Sequence, residues 1–132
     1  CILSNAATLA GHVTVEDHVI LSGMAGVHQF CRVGAHSMIG GCTKIVQDVP
    51  PFTIADGNPA QIRGLNLIGL QRRGFAPEDI RALKTAYKTL FLKKGLNLTA
   101  QIETLDKLDS ASNEKVRQLL DFLRSSERGI VR

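Results

Sequence analysis

The sequence predicts a mainly β then α chain: a parallel β-solenoid of six-residue repeats over residues 1–60, then a connector and a three-helix subdomain over residues 61–132. The first observation is a period of six. Stepping from Leu3 gives Leu9, Val15, Leu21, Val27, Val33, Ile39 and Ile45, all aliphatic. Six fits neither the 3.6 period of a helix nor the alternation of one long strand, so each hexad reads as a short strand plus a bend. The second observation is the smaller residue four places after each aliphatic: Ala7, Val13, Val19, Ala25, Cys31, Ser37, Thr43 and Val49. Three hexads close one triangular coil, with the aliphatic pointing inward and the small residue fitted inside the corner. The third observation is a change of period beyond residue 76, where apolar residues recur at helical spacing.

The coil makes its own test, because residues eighteen apart must then stack at strand spacing, about 4.8 Å. Leu3, Leu21 and Ile39 form one column, Leu9, Val27 and Ile45 a second, and Val15 with Val33 a third. Gly23 falls on Gly41, and His18 on His36.

Val49-Pro50-Pro51 ends the repeat, since proline lacks an amide donor and restricts its predecessor. A short apolar strand, Phe52 to Ala55, and a turn cluster, Asp56-Gly57-Asn58-Pro59, follow. Gln61 to Gly74 reads as a connecting loop. Pro77-Glu78-Asp79 starts a helix whose apolar face is Ile80, Leu83, Tyr87, Leu90 and Phe91, and Lys93, Lys94 and Gly95 end it. Thr99 is the expected cap of a second helix, with Ile102, Leu105 and Leu108 inside. Asn113 caps a third, facing inward through Val116, Leu119, Leu120 and Leu123 and closing near Gly129.

With 132 residues the chain can bury one core or two small ones. It carries no apolar run of eighteen and no signal peptide, which makes a soluble cytosolic protein the expectation. The repeat is already in phase at Leu3 and the first residue is Cys1, so further coils are expected upstream. Three cysteines without a CxxC suggest neither disulfides nor a zinc knuckle. The net charge is +4, with two basic and four acidic residues up to Ala60, then fourteen basic and eight acidic. Any anionic partner should therefore meet the second half.

Outward-facing Gly23, Met24, Phe30, Met38 and Gly41 suit a covered surface better than a solvated one, which implies self-association, most simply a cyclic trimer. Stacked Gly23 and Gly41 either pack against a neighbour or leave a ligand groove. His12, His18 and His36 share one place in the hexad, so a zinc site would need three of the histidines to converge between subunits. His12, after Gly11, and His28, before Gln29, have the flexible or polar neighbours of a pocket.

Hexads followed by Asp48-Val49-Pro50-Pro51 and Gly57-Asn58-Pro59-Ala60 resemble the hexapeptide-repeat acyltransferases. That resemblance implies a left-handed parallel β-helix, an exception to the right-handed crossover rule. Leu9-Ala10-Gly11-His12-Val13, Ala25 to Cys31, Gly69 to Phe75 and the closing Arg128-Gly129-Ile130-Val131-Arg132 narrow it. They look like the branch that acylates UDP-N-acetylglucosamine at the start of lipid A biosynthesis. The resemblance implies transfer of a 3-hydroxyacyl chain from acyl carrier protein to the sugar 3-hydroxyl, without a cofactor, by a cytoplasmic homotrimer. By matching motif, Gly11 looks like the amide donor to the oxyanion. His12, His28 and Gln29 look like substrate-pocket residues, and Asn66, Arg72 and Arg73 like contacts to the nucleotide phosphates. Gly41 matches the position that sets acyl-chain length. Arg81, Lys84 and Lys88 suit the acidic carrier protein. The general-base histidine of that family is expected upstream of Cys1, so none of the four histidines here takes that role. The alternatives are another hexapeptide acyltransferase, such as the later N-acyltransferase of the pathway, or a non-catalytic scaffold.

Overall fold

The computed structural model describes residues 1–92 and 97–132, which fall into two compact units, Cys1–Asn66 with Ser126–Arg132, and Leu67–Ser125. The first unit is a left-handed parallel β-helix. Its strands are two residues each: β1 (Ile2–Leu3), β2 (Thr8–Leu9), β3 (Thr14–Val15), β4 (Ile20–Leu21), β5 (Gly26–Val27), β6 (Arg32–Val33), β7 (Met38–Ile39) and β8 (Lys44–Ile45). β1 to β5 each pair in parallel with the strand three further on, so Leu3, Leu21 and Ile39 stack, as do Leu9, Val27 and Ile45, and Val15 and Val33. The three expected columns are all present. Leu21, Val33, Ile39 and Ile45 are wholly buried, along with the small-position residues Val19, Cys31 and Val49.

Each corner up to Cys42 is a tight turn in which the residue before the small one has a left-handed backbone, whereas Asp48, before Val49, does not. Ala6, His12, His18, Met24, Phe30, His36 and Cys42 lie at φ between 57° and 66°. A turn of this kind needs φ > 0 at its third residue, a position glycine usually takes. Here seven side-chain-bearing residues occupy it instead. The turn closes with a bond such as Ala25 N–H to Ser22 O (3.2 Å), and the next coil is tied on by Cys42 N–H to Gly23 O (3.0 Å).

The Pro50-Pro51 pair shortens the last coil rather than ending it. Val49 bridges to Val33 and Ala55 pairs with Ile39, each a step of sixteen residues instead of eighteen. Gly34 makes that shortcut feasible, because a Cβ there would stand 2.4 Å from Pro51 N. The expected strand Phe52 to Ala55 is β9 (Thr53–Gly57), while Phe52 itself is a buried corner residue at φ 69°. β9 then turns at the cis Asn58-Pro59 bond into antiparallel β10 (Ala60–Leu65). The first five residues of the expected connector, Gln61 to Leu65, therefore belong to a strand, and the solenoid unit runs to Asn66 rather than Ala60.

The chain also comes back. Asp48 N–H donates to Gly129 O (3.0 Å), Val131 N–H to Asp48 O (2.8 Å), and Gln47 Nε2 to Arg128 O (3.2 Å). The buried Asp48 carboxylate accepts from Arg32 N–H (2.9 Å) and Ser126 Oγ (2.7 Å).

In the second unit, α1 (Leu67–Arg72) replaces the rest of the expected loop. It ends at Gly74, whose φ of 75° suits a glycine C-cap. α2 (Pro77–Tyr87) begins as expected with proline and two acids, then widens into a π-helical turn, Lys88–Leu92. The expected terminators Lys93, Lys94 and Gly95 lie outside the described residues. The turn is supported by buried Gln101, whose Nε2 donates to Leu90 O (2.5 Å). α3 (Leu98–Asp106) is capped by Asn97, which accepts from Ala100 N–H (2.8 Å), rather than by Thr99. Two short polar side chains stood two positions apart, and the earlier one took the role. Asn113 caps α4 (Glu114–Arg124) through Lys115 N–H (2.9 Å) and Val116 N–H (3.3 Å), and its Nδ2 donates to Asp79 Oδ1 (2.9 Å). α4 buries Val116, Leu119, Leu120, Phe122 and Leu123 and ends at Arg124, short of Gly129.

Candidate functional site

One corner of the solenoid gathers four of the sequence-selected residues. Gly11 and His12 form the turn of one coil, and His28 and Gln29 enter the turn directly above, because eighteen residues separate Gly11 from Gln29. Phe30 N–H donates to Gly11 O (3.1 Å) and locks the two turns together. Phe30 also lies face to face on His12, with ring centroids 5.1 Å apart and planes within 3°. The His12 ring is thereby oriented from one side. His28 Nδ1 lies 3.3 Å from Gln29 O, a contact that fixes the ring when that nitrogen carries the proton.

The Gly11 amide has no hydrogen-bond partner among the described residues, and a Cβ at Gly11 would meet nothing within 4 Å. An exposed N–H of this kind can donate to a developing negative charge on an incoming oxygen. The Gly11 carbonyl, by contrast, points along the stack to Phe30 N–H of the next coil.

Gly41 stands at a different corner, stacked on Gly23, where a Cβ would make ordinary contact, 3.4 Å, with Gly23 O. A larger residue would fit the backbone and protrude outward. Between the two corners, the face formed by β2, β5 and β8 carries a cavity of about 400 Å³. Its lining includes Met24, Gly26, His28, Cys42, Lys44 and Asn58. Of these, only His28 is among the binding residues that the sequence motifs suggest. The signal was available, because Thr8, Gly26 and Lys44 form one outward column at eighteen-residue steps.

Asn66 sits at the third corner, apart from Gly11. It is buried, its N–H donates to Phe52 O (2.8 Å), and its Nδ2 donates to His36 O (2.9 Å). There it holds up the stack of His18, His36 and Phe52, whose rings are 4.8 and 5.9 Å apart. Arg72 and Arg73 are exposed at the end of α1, in the helical unit. Arg81, Lys84 and Lys88 are exposed along one side of α2 and its continuation, opposite buried Leu83 and Ala86. No group of three metal-binding side chains occurs among the described residues, and no described helix is long and apolar enough to cross a membrane. Burial pushes the Cys31 thiol up, with the Arg128 guanidinium offsetting part of the effect.

Residues 48–131 match the family described as UDP-N-acetylglucosamine O-acyltransferase, domain 2. An acyl-[acyl-carrier-protein]--UDP-N-acetylglucosamine O-acyltransferase of Nautilia profundicola is 55% identical over 131 residues, which is 98% of this chain and 49% of that protein. The crystal structure from Acinetobacter baumannii superposes with a TM-score of 0.92 at 43% identity, over 99% of this chain and 50% of that one. The Bacteroides fragilis enzyme gives 0.94 at 37% identity, over 100% and 51%. The chain thus spans about half the length of the relatives it matches. On the family match and the identity carried across nearly all its residues, it belongs to the UDP-N-acetylglucosamine O-acyltransferase family.

Proposed function

We propose that this chain is part of an enzyme transferring a 3-hydroxyacyl group from acyl carrier protein to the 3-hydroxyl of UDP-N-acetylglucosamine, the first step of lipid A biosynthesis. The observation that carries this reading is the corner where the unpartnered Gly11 amide stands beside His12, His28 and Gln29. The sugar hydroxyl attacks the thioester carbonyl, its proton passes to a histidine base outside this chain, and the Gly11 N–H receives the oxyanion. Collapse of the tetrahedral centre breaks the C–S bond, and the carrier thiol leaves with a proton. His12, held by Phe30, and His28 with Gln29 line the substrate.

Arg72 and Arg73 contact the diphosphate, a role for which paired guanidinium forks are suited. Gly41 leaves room for the acyl chain, and a bulky residue there shortens the chain accepted. The exposed cations Arg81, Lys84 and Lys88 receive the acidic carrier. Met24 (68% exposed) and Phe30 (52% exposed) support a homotrimer in which neighbouring subunits cover them, acting in the cytoplasm.

The test is acyl transfer by the full-length protein with UDP-N-acetylglucosamine and acyl carrier protein loaded with 3-hydroxyacyl chains of several lengths. Turnover that falls on replacing Arg72 or Arg73 with alanine, through a rise in KM for the nucleotide sugar, supports the reading. Full-length protein that transfers no acyl group to this acceptor refutes it.

A further inference from the structure

The helical unit buries an amide that stability alone does not call for. Gln101, on α3, is 1% exposed, and its Nε2 donates to Leu90 O (2.5 Å) in the π-helical turn Lys88–Leu92. Its Oε1 is buried and accepts no hydrogen bond among the described residues. A buried acceptor left without a donor is costly, and an apolar side chain of the same length would avoid that cost. The amide instead holds the wide turn, by giving the buried Leu90 carbonyl a donor from a neighbouring helix. Turns of this kind are rare in helices and occur mostly at functional sites.

The outer side of the turn carries Lys88 and Leu92, while Thr89 and Leu90 are buried. Leu92 is 61% exposed. It stands four positions beyond Lys88, so the row of cations Arg81, Lys84 and Lys88 closes on a large aliphatic side chain at helical spacing. Reverting the turn to a regular α-helix would rotate Leu92 relative to Lys84 and Lys88. An exposed aliphatic flanked by cations has the layout of a protein contact, an apolar anchor beside a charged rim. The sign of the rim complements an acidic partner.

We propose that the carrier protein docks on Leu92 together with Arg81, Lys84 and Lys88, and that buried Gln101 is the positioning residue for this face. This deepens the proposed function and rests on it. The carrier presents acidic side chains to the cations and buries Leu92 against an apolar residue of its own. Gln101 touches no substrate and acts through the turn.

The experiment is steady-state acyl transfer by the full-length protein and its Leu92→Ser and Gln101→Met variants. The donors are the 3-hydroxyacyl carrier protein and the same acyl group on 4′-phosphopantetheine, which has no protein surface. Methionine matches glutamine in length and helix propensity, so a folded variant is expected, with the α3 amides still protected from hydrogen exchange. Leu92→Ser should raise the KM for the acylated carrier about tenfold and Gln101→Met about threefold. In both, kcat, the KM for UDP-N-acetylglucosamine and turnover of the phosphopantetheine donor should match the parent. A carrier KM that neither variant moves overturns the docking face while the proposed function survives. A rise in Leu92→Ser alone overturns the positioning role of Gln101. Lost α3 protection with both donors weakened alike in Gln101→Met makes Gln101 structural only and overturns that role too. If Leu92→Ser changes the sedimentation of the protein and not the carrier KM, the leucine meets a second copy and the carrier assignment is overturned. A parent that transfers no acyl group from either donor overturns the proposed function and this face with it.

Discussion

Replacing Asp48 with alanine should loosen the solenoid where the chain returns to it. The carboxylate is 2% exposed and accepts two charge-assisted hydrogen bonds, from Arg32 N–H at 2.9 Å and Ser126 Oγ at 2.7 Å. Hydrogen bonds to charged groups contribute about 1.5–3 kcal/mol each, and the donors left behind would be poorly solvated. The Arg32 guanidinium, 3.9 Å away and partly exposed, adds little. The expected cost is therefore about 3–5 kcal/mol. Asparagine keeps an acceptor for Arg32 N–H and should cost about 1–2 kcal/mol. Because the chain has two compact units, a single melting midpoint would blend them, and amide hydrogen exchange is the better assay. The amides of Arg32, Asp48 and Val131 should lose protection together in Asp48→Ala, while those of α4 keep theirs. Unchanged exchange at all three would refute the view that this carboxylate holds the closing segment.

Gly34→Ala should destabilise by about 1–3 kcal/mol or more, read by denaturant unfolding, because its Cβ would press on the Pro51 backbone at 2.4 Å and not on a side chain that can move. Asn113→Ala should cost about 1 kcal/mol and expose the Lys115 and Val116 amides to exchange, since their capping oxygen is lost. A thiol reagent at pH 8 should modify the exposed Cys1 and Cys42 and spare the buried Cys31, as mass spectrometry of the folded protein can show. The raised Cys31 thiol means that the unfolded chain releases its proton first, so this group's contribution to stability declines as pH rises through the ordinary thiol value of 9.0.

What the sequence disclosed depended on repetition. Leu3, Leu21 and Ile39 could be placed in one column because the same choice recurs at a fixed interval, and the parallel register follows directly. Where the interval breaks, reading stopped. Nothing in Val49-Pro50-Pro51 distinguishes ending the coil from shortening it by two residues, since that depends on Gly34 standing opposite Pro51. The pairing of Asp48 with Gly129 and Val131 joins segments about eighty residues apart, a contact no local pattern encodes. Cap chemistry was legible in kind at Asn113, but not in position at Asn97. The candidate site was legible as far as its motif extended: Gly11, His12, His28 and Gln29 meet at one corner, as coil arithmetic alone would place them. Lys44 carries no motif, only a column address, so its place in the lining of the cavity over Gly26 is read from the structure alone.

The left-handed corners separate two design problems that most folds must solve together. A left-handed backbone costs any L-residue roughly 1–2 kcal/mol, whatever its side chain, provided the side chain points outward. Alanine, histidine, methionine, phenylalanine and cysteine all sit at φ between 57° and 66° at the outward corners, so the coil tolerates each without altering its path. The strain belongs to the position and the chemistry to the occupant. A residue such as His12, Met24 or Cys42 can therefore be exchanged with little effect on the inner columns, which are built only from the aliphatic and small positions. Substrate preference in a scaffold of this kind can drift corner by corner while the helix beneath stays the same.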